Sequence, residues 1–206
     1  MTSVAVAGGA RLRMARIITE LLAPIVLIVV LLVVVAIHST GSLQRGLVLG
    51  LVAAFFAGGL PYSVLIFGVR RGRLGDRHLT RRQERPALML LGLVSVTCGY
   101  LVMRWLDAPG ELLALVVAMV AGVAVALGVS LFWKISIHTA CVAGSVCVLT
   151  ILVHPAIAVL APVIVATAWA RVALRDHTWA QVIAGAAVGA ATASGVLILA
   201  ARYFNH

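Results

Sequence analysis

The sequence predicts an all-α fold, a polytopic transmembrane helical bundle with six or seven spans. Of its 206 residues, 63% are apolar and only 11% are charged, and the mean hydropathy is +1.16. A soluble domain is about half apolar and about a quarter charged. The apolar stretches run for roughly 17 residues or more, the length of a membrane-spanning helix, without the alternation of barrel strands. The length suits one transmembrane domain covering residues 1–206.

Seven apolar runs follow one another along the chain. The first extends from about Leu21 to Ile37, and we interpret it as a retained span because no small-residue cleavage site follows it. The other runs lie at roughly 46–69, 87–105, 112–133, 139–153, 155–170 and 179–201. The His154-Pro155 pair predicts a break between the two short runs. Six spans is the alternative if that pair or the first run forms no separate span.

A ridge of small residues marks the last run. Gly185, Gly189 and Ala193 recur at every fourth position, and such ridges let transmembrane helices approach closely. We predict that this ridge packs inside the bundle. The alternative is a dimer face, and the sequence leaves the oligomeric state open.

The basic residues are distributed unevenly between the two sides of this arrangement. On the side of the N-terminus lie Arg11, Arg13, Arg16, Arg70, Arg71, Arg73, Arg77, Arg81, Arg82, Arg85, Lys134, Arg171 and Arg175. Only Arg45, Arg104 and Arg202 lie opposite. An excess of Lys and Arg marks the cytoplasmic side, and it explains the net charge of +10 without a nucleic-acid partner. The high arginine usage favours a bacterial protein. We therefore expect the chain in a bacterial inner membrane, with its N-terminus in the cytoplasm.

Three polar segments carry the side chains that are capable of chemistry, and the topology returns all three to one face. They are residues 77–86, 134–138 and 171–181. Arginine and helix N-termini bind phosphoryl oxygens, and histidine serves as a nucleophile or a general acid near neutral pH. We therefore expect a cytoplasmic phosphoryl-transfer site that needs no metal and no cofactor. The three cysteines show no metal-ligand spacing.

These segments resemble the signature of the type 2 phosphatidic acid phosphatase superfamily, a group of membrane lipid phosphatases. That family's motifs are Lys, six residues, Arg-Pro; then Pro-Ser-Gly-His; then Ser-Arg, five residues, His, three residues, Asp. Arg85 matches the arginine of the first motif, and Ser136 and His138 match the second. Arg171 and His177 match the third at the correct separation.

The resemblance implies a mechanism and the residues that perform it. His177 would attack phosphorus to form a phosphohistidine, and His138 would protonate the leaving lipid oxygen. The residues that would hold the phosphoryl oxygens are Arg85, Arg171, Lys134 and Ser136.

The chain departs from the family pattern at several places, including Ile135, Ile137 and Ala170, and two of the departures add candidate site residues. His78, flanked by Arg77, stands where the family has its first lysine, so both are candidate site residues. Gln181 replaces the closing aspartate, which in the family accepts a hydrogen bond from the nucleophilic histidine. Gln181 and the neighbouring Asp176 are therefore the candidates for the residue that orients His177.

We expect a membrane lipid-phosphate phosphatase that hydrolyses a lipid phosphomonoester or diphosphate, with the substrate and the bilayer as its partners. A cytoplasmic site favours lipids made inside the cell, namely prenyl diphosphates, phosphatidic acid or phosphatidylglycerol phosphate. The alternative, suggested by Gln181, is a catalytically weak or inactive lipid-binding or transport protein on the same scaffold. A transporter would carry polar residues at mid-membrane depth. These spans have almost none, which favours the enzyme.

Overall fold

A computed structural model describes the backbone of residues 2–71 and 85–204 and the side chains of residues 9–71 and 87–202. Within these ranges the chain forms helices joined by short turns and contains no strand, which confirms the all-α prediction. The helices are α1 (Thr2–Leu21), α2 (Pro24–Thr40), α3 (Leu43–Ala54), α4 (Leu60–Arg70), α5 (Arg85–Trp105), α6 (Gly110–Phe132), α7 (Ile137–Leu152), α8 (Pro162–Ala173) and α9 (Trp179–Phe204). A π-helical turn, Phe55–Gly59, joins α3 to α4, and a 3-10 helix, Pro155–Leu160, precedes α8.

The helices have the lengths of a multi-pass membrane protein. Five helical segments are long and apolar enough to cross a membrane, and they are Leu43–Arg70, Ala87–Trp105, Gly110–Phe132, Pro155–Ala173 and Trp179–Arg202. The segments Gly9–Leu21 and Pro24–Thr40 meet at a 41° bend and together would make a sixth. The remaining predicted run, at 139–153, corresponds to α7, which is apolar but has only 16 residues.

The predicted break between the two short runs is confirmed. Helix α7 ends at Leu152, and the 3-10 helix starts at Pro155. The His154 side chain caps that helix, because its Nδ1 accepts a hydrogen bond from the Ala156 nitrogen at 3.1 Å. The proline therefore begins a new element instead of kinking a long one.

Helix α1 lies where the sequence marks no helix. It packs along α8, with Ala15 completely buried and the Arg11 guanidinium 5.9 Å from the centre of the Trp169 ring. Met14 and Ile17 remain exposed on another face. Arginines interrupt its apolar residues, so no hydropathy run identifies this helix, and its packing against α8 stabilises it instead.

Helices α7 and α9 pack with their backbones in close approach. A side chain at Gly185 would overlap the carbonyl oxygen of Ser136, and one at Gly189 would overlap that of Ala140. The Thr139 hydroxyl donates a hydrogen bond to the carbonyl of Val182 at 2.9 Å across this contact. The small-residue ridge therefore packs inside the bundle, as predicted.

The turns between helices meet in pairs at the two ends of the bundle. At one end, the Arg45 guanidinium donates a hydrogen bond to the Asp107 carbonyl at 3.0 Å. At the other end, the Ser136 nitrogen donates to the Gln181 carbonyl at 3.2 Å. The α6–α7 and α8–α9 turns, which contain the second and third polar segments, therefore lie side by side.

Candidate functional site

The turn that follows α8 folds back on the end of that helix. The Arg175 nitrogen donates a hydrogen bond to the Val172 carbonyl at 2.9 Å, and the Asp176 nitrogen donates to the Arg171 carbonyl at 3.1 Å. This pair of bonds is the Schellman motif that ends many helices. Arg175 has a φ of 59°, in the left-handed region that favours glycine. The sharp turn brings Asp176 back over the helix end.

Arg171 and Asp176 form an ion pair in this turn. An Nη1–Oδ2 distance of 3.1 Å joins them, and the arginine side chain is only 7% exposed while the aspartate side chain is 39% exposed. A buried charge is costly unless it is paired, so Asp176 stabilises Arg171 in its buried position. The Arg171 Nε is buried and has no hydrogen-bond partner among the described residues.

His177 contacts Gln181 one helical turn further along the chain. The His177 ring is 8% exposed, and its Nδ1 lies 3.3 Å from Gln181 Oε1. The Thr178 nitrogen donates to the same Oε1 at 3.2 Å, which identifies that atom as the amide oxygen, because a backbone N–H cannot accept. This contact suits the tautomer in which His177 donates from Nδ1, and in the neutral ring of that tautomer the lone pair is on Nε2.

The Gln181 amide also caps helix α9. Its side chain accepts from the Thr178 nitrogen, and its own backbone nitrogen donates to the Thr178 hydroxyl at 3.4 Å. These reciprocal bonds form a capping box at the start of the helix. The Thr-x-x-Gln pattern of residues 178–181 is the sequence signal for this box, and our sequence prediction missed Thr178.

The second polar segment lies against the third. Lys134 Nζ donates to the Asp176 carbonyl at 2.7 Å. Ser136 caps α7, with its hydroxyl oxygen accepting from the Thr139 nitrogen at 3.4 Å, and it is completely buried. His138 is half-buried in the first turn of α7. In this structure Ser136 acts as a helix cap, and its contact with phosphate stays a prediction.

The structure brings most of the predicted site residues to one end of the bundle, and the first segment is only partly described. The residues brought together are Lys134, Ser136, His138, Arg171, Asp176, His177 and Gln181. Arg77 and His78 lie outside the described residues. Arg85 begins α5, and its side chain also lies outside them.

The fold and this cluster define a multi-pass helical membrane protein with a charged, histidine-containing site at one end of the bundle. No three His, Cys, Asp or Glu residues converge in a metal-binding group within the part of the chain that the structure describes. No family model, curated protein or solved structure matches the chain.

Proposed function

We propose that this protein is a membrane lipid-phosphate phosphatase, a divergent relative of the type 2 phosphatidic acid phosphatases. The observation that carries the proposal is the His177–Gln181 contact beside the buried Arg171, which is paired with Asp176. An oriented imidazole next to a buried guanidinium is what phosphoryl transfer to histidine requires. The motif resemblance supports Arg171 and His177 independently of their distances.

In the proposed first step, His177 Nε2 attacks phosphorus and the bond from phosphorus to the lipid oxygen breaks. His138 gives its proton to that oxygen, so that the lipid leaves as an alcohol or, from a diphosphate, as a monophosphate. Arg171 and Lys134, with Arg85, hold the phosphoryl oxygens as negative charge develops on them. Gln181 keeps the His177 ring in position throughout.

In the second step, water hydrolyses the phosphohistidine. His138, now neutral, takes a proton from the attacking water, the bond between phosphorus and His177 breaks, and phosphate leaves. The Gln181 amide orients the imidazole but carries no charge to stabilise the cation that develops on it. The proposal therefore includes slow turnover relative to an enzyme with a carboxylate at this position.

The distribution of basic residues supports a site at the cytoplasmic face of a bacterial inner membrane. Lipids made inside the cell would reach a site with that orientation. The proposed substrates are prenyl diphosphates, phosphatidic acid and phosphatidylglycerol phosphate.

Phosphate release by the purified protein from a panel of these lipids, with and without EDTA, tests the proposal. We expect release that persists in EDTA and is abolished in His177→Ala. His138→Ala should be slowed most for lipids with poor leaving groups. The matched control is His154→Ala, because His154 caps the 3-10 helix at the other end of the bundle.

Two results would overturn the proposal. Turnover of His177→Ala near the wild-type rate would remove the phosphohistidine mechanism. Binding of these lipids by the wild-type protein without any phosphate release would favour the lipid-binding or transport alternative.

A further inference from the structure

An apolar, partly open cavity of about 360 Å³ lies between α2, α4, α5, α6, α7 and α9. Its walls are almost entirely apolar. The polar side chains among the wall residues are few, and they are Tyr62, Ser145 and Thr192. A space of this kind suits a hydrocarbon chain better than any polar ligand.

The cavity begins at the end of the bundle that carries the site. Ile137 is a wall residue and lies between Ser136 and His138 in the chain. On α9, Val188 and Thr192 line the cavity seven and eleven residues after Gln181. These spacings place them on the same helix face as Gln181. The cavity therefore lies inward of the site, and Ile137 is the wall residue nearest to it in the chain.

The depth of the cavity corresponds to half a bilayer. Along α7 its wall extends from Ile137 to Val148, which at the helical rise of about 1.5 Å per residue is roughly 16 Å. Half of the hydrocarbon thickness of a membrane is about 15 Å. The wall along α7 is therefore about as long as half of the hydrocarbon core.

The volume of the cavity suits one hydrocarbon chain. Its volume of about 360 Å³ is near the lower end of the roughly 300–1,000 Å³ of ligand pockets. We propose that it holds the single hydrocarbon chain of the substrate, and that the substrates are single-chain lipid phosphates, prenyl or alkyl, with a chain about half a bilayer long. This inference rests on the proposed function and narrows it, because diacyl lipid phosphates would need room for a second chain.

The bilayer is as apolar as the cavity, so the cavity selects a chain by its shape and position. A chain held between α5, α7 and α9 fixes the phosphate above His177 in the orientation that attack requires. A lipid whose chain stays in the bilayer lacks this constraint. The chain would therefore affect both binding and the rate of the chemical step.

Filling the cavity from two of its walls tests the inference. Gly92 on α5 lines the cavity, and a side chain there meets no atom within 4 Å. Gly122 on α6 also lines it, with only the Thr192 hydroxyl near, at 3.6 Å. In Gly92→Leu and Gly122→Leu a leucine would enter the space of the chain, and its Cβ would overlap no neighbouring atom. The matched control is Gly128→Leu, at an exposed position of α6 with nothing within 4 Å.

The measurement is equilibrium binding of hexadecylphosphonate, a single-chain probe that cannot be hydrolysed, and of a diacyl phosphonate. We expect the wild-type protein and Gly128→Leu to bind the single-chain probe at least tenfold more tightly than the diacyl one. Both cavity variants should lose at least tenfold in affinity for the single-chain probe. Thermal unfolding checks that each variant is folded. Because the two substitutions lie on different helices, local damage to one helix would not explain a loss of binding in both variants.

Equal binding of the single-chain probe by the cavity variants and the control would overturn the inference, as would a preference of the wild-type protein for the diacyl probe. Phosphate release is measured separately on the wild-type protein. If the cavity variants lose binding but the wild-type protein releases no phosphate, the proposed function is wrong while the chain site stands. If the wild-type protein releases phosphate but the cavity variants bind the probe as tightly as the control does, the proposed function stands and the chain site is wrong.

Discussion

Gln181 Oε1 lies 3.3 Å from Nδ1 of His177 and, at the same time, 3.2 Å from the Thr178 backbone nitrogen. One amide oxygen therefore orients the candidate nucleophile and caps the helix that follows it. A change at this position affects both the chemistry of the histidine and the stability of α9. Two variants separate these effects: Gln181→Glu changes the charge that faces His177, and Thr178→Ala removes part of the helix cap.

Gln181→Glu should increase the rate of phosphate release. Glutamate keeps the chain length, suits the capping box and lies at the positive end of the helix dipole. Its charge would strengthen the bond to a developing imidazolium by roughly 1 kcal/mol, which corresponds to about a fivefold higher rate. Single-turnover phosphate release measures this step directly, and a rate at or below that of the wild-type protein would contradict the prediction.

Thr178→Ala is the matched control for the capping role. It removes the hydroxyl that accepts from the Gln181 nitrogen at 3.4 Å but leaves the His177–Gln181 bond in place. We expect it to lower the free energy of unfolding by about 1 kcal/mol, a usual cost of losing an N-cap, with little change in turnover. A large loss of turnover would show that the cap itself, and not the histidine contact, determines activity.

Asp176→Asn should destabilise the protein. It should also weaken substrate binding, because Asp176 holds Arg171, a proposed phosphate ligand, in position. The amide keeps the shape of the side chain but removes the charge that faces the buried Arg171 guanidinium. Because the Asp176 side chain is 39% exposed and partly screened by solvent, we expect a loss of about 1 kcal/mol, well below the cost for a fully buried pair. Chemical unfolding in detergent and KM for a lipid phosphate measure the two effects, and an unchanged stability would show that the ion pair contributes nothing.

Arg175→Gly should stabilise the protein. Arg175 has a φ of 59°, where a side chain costs roughly 1 kcal/mol and glycine is unstrained. The Schellman hydrogen bonds involve only backbone atoms at this position, so they would remain. We expect a higher unfolding temperature with unchanged phosphate release. A lower unfolding temperature would mean that the Arg175 side chain makes a stabilising contact that outweighs the strain.

Gly185→Ala should disrupt the contact between α7 and α9. The added methyl group would overlap the Ser136 carbonyl oxygen, which belongs to the helix backbone and cannot move aside without shifting the turn. Overpacking of this kind costs roughly 1–3 kcal/mol. The matched control is Gly195→Ala on the same helix, where nothing lies within 4 Å. Thermal unfolding compares the two, and equal values would contradict the close approach.

Labelling with an impermeant thiol reagent tests the orientation of the site. The native Cys98, Cys141 and Cys147 are first replaced by alanine. A cysteine at the exposed Arg175 should be protected in intact cells and labelled after lysis, while one at the exposed Glu111 should react from outside. The reverse pattern would place the site on the outer face and change the available substrates.

The sequence predicts the spanning helices well because the thickness of the bilayer sets their length. The π-helical turn Phe55–Gly59 is not visible in the sequence, because it depends on a contact with another helix: Ser95 donates its hydroxyl to the Phe56 carbonyl at 2.6 Å. Helix α1 is missed for the same reason, since its packing on α8 stabilises it.

Local spacing explains which parts of the site are predictable. The four-residue separation of His177 and Gln181 already places them within reach on one helix face. The sequence leaves Asp176 as a second candidate to orient His177, whereas in the structure its carboxylate pairs with Arg171. That pairing results from the left-handed backbone of Arg175, which is occupied by glycine in most such turns. A non-glycine residue there gives no signal in the sequence.

The packing of α1 on α8 also limits how early the fold can form during synthesis. About 150 residues separate Ala15 from Ala168, and a ribosome adding about 5–20 residues per second needs roughly 8–30 s to cross that distance. Through this interval α1 has no α8 to pack on, and the α8–α9 turn with its histidine does not yet exist. A nascent chain therefore inserts most of its spans while it has no assembled site, and it acquires one only when its last helix enters the membrane.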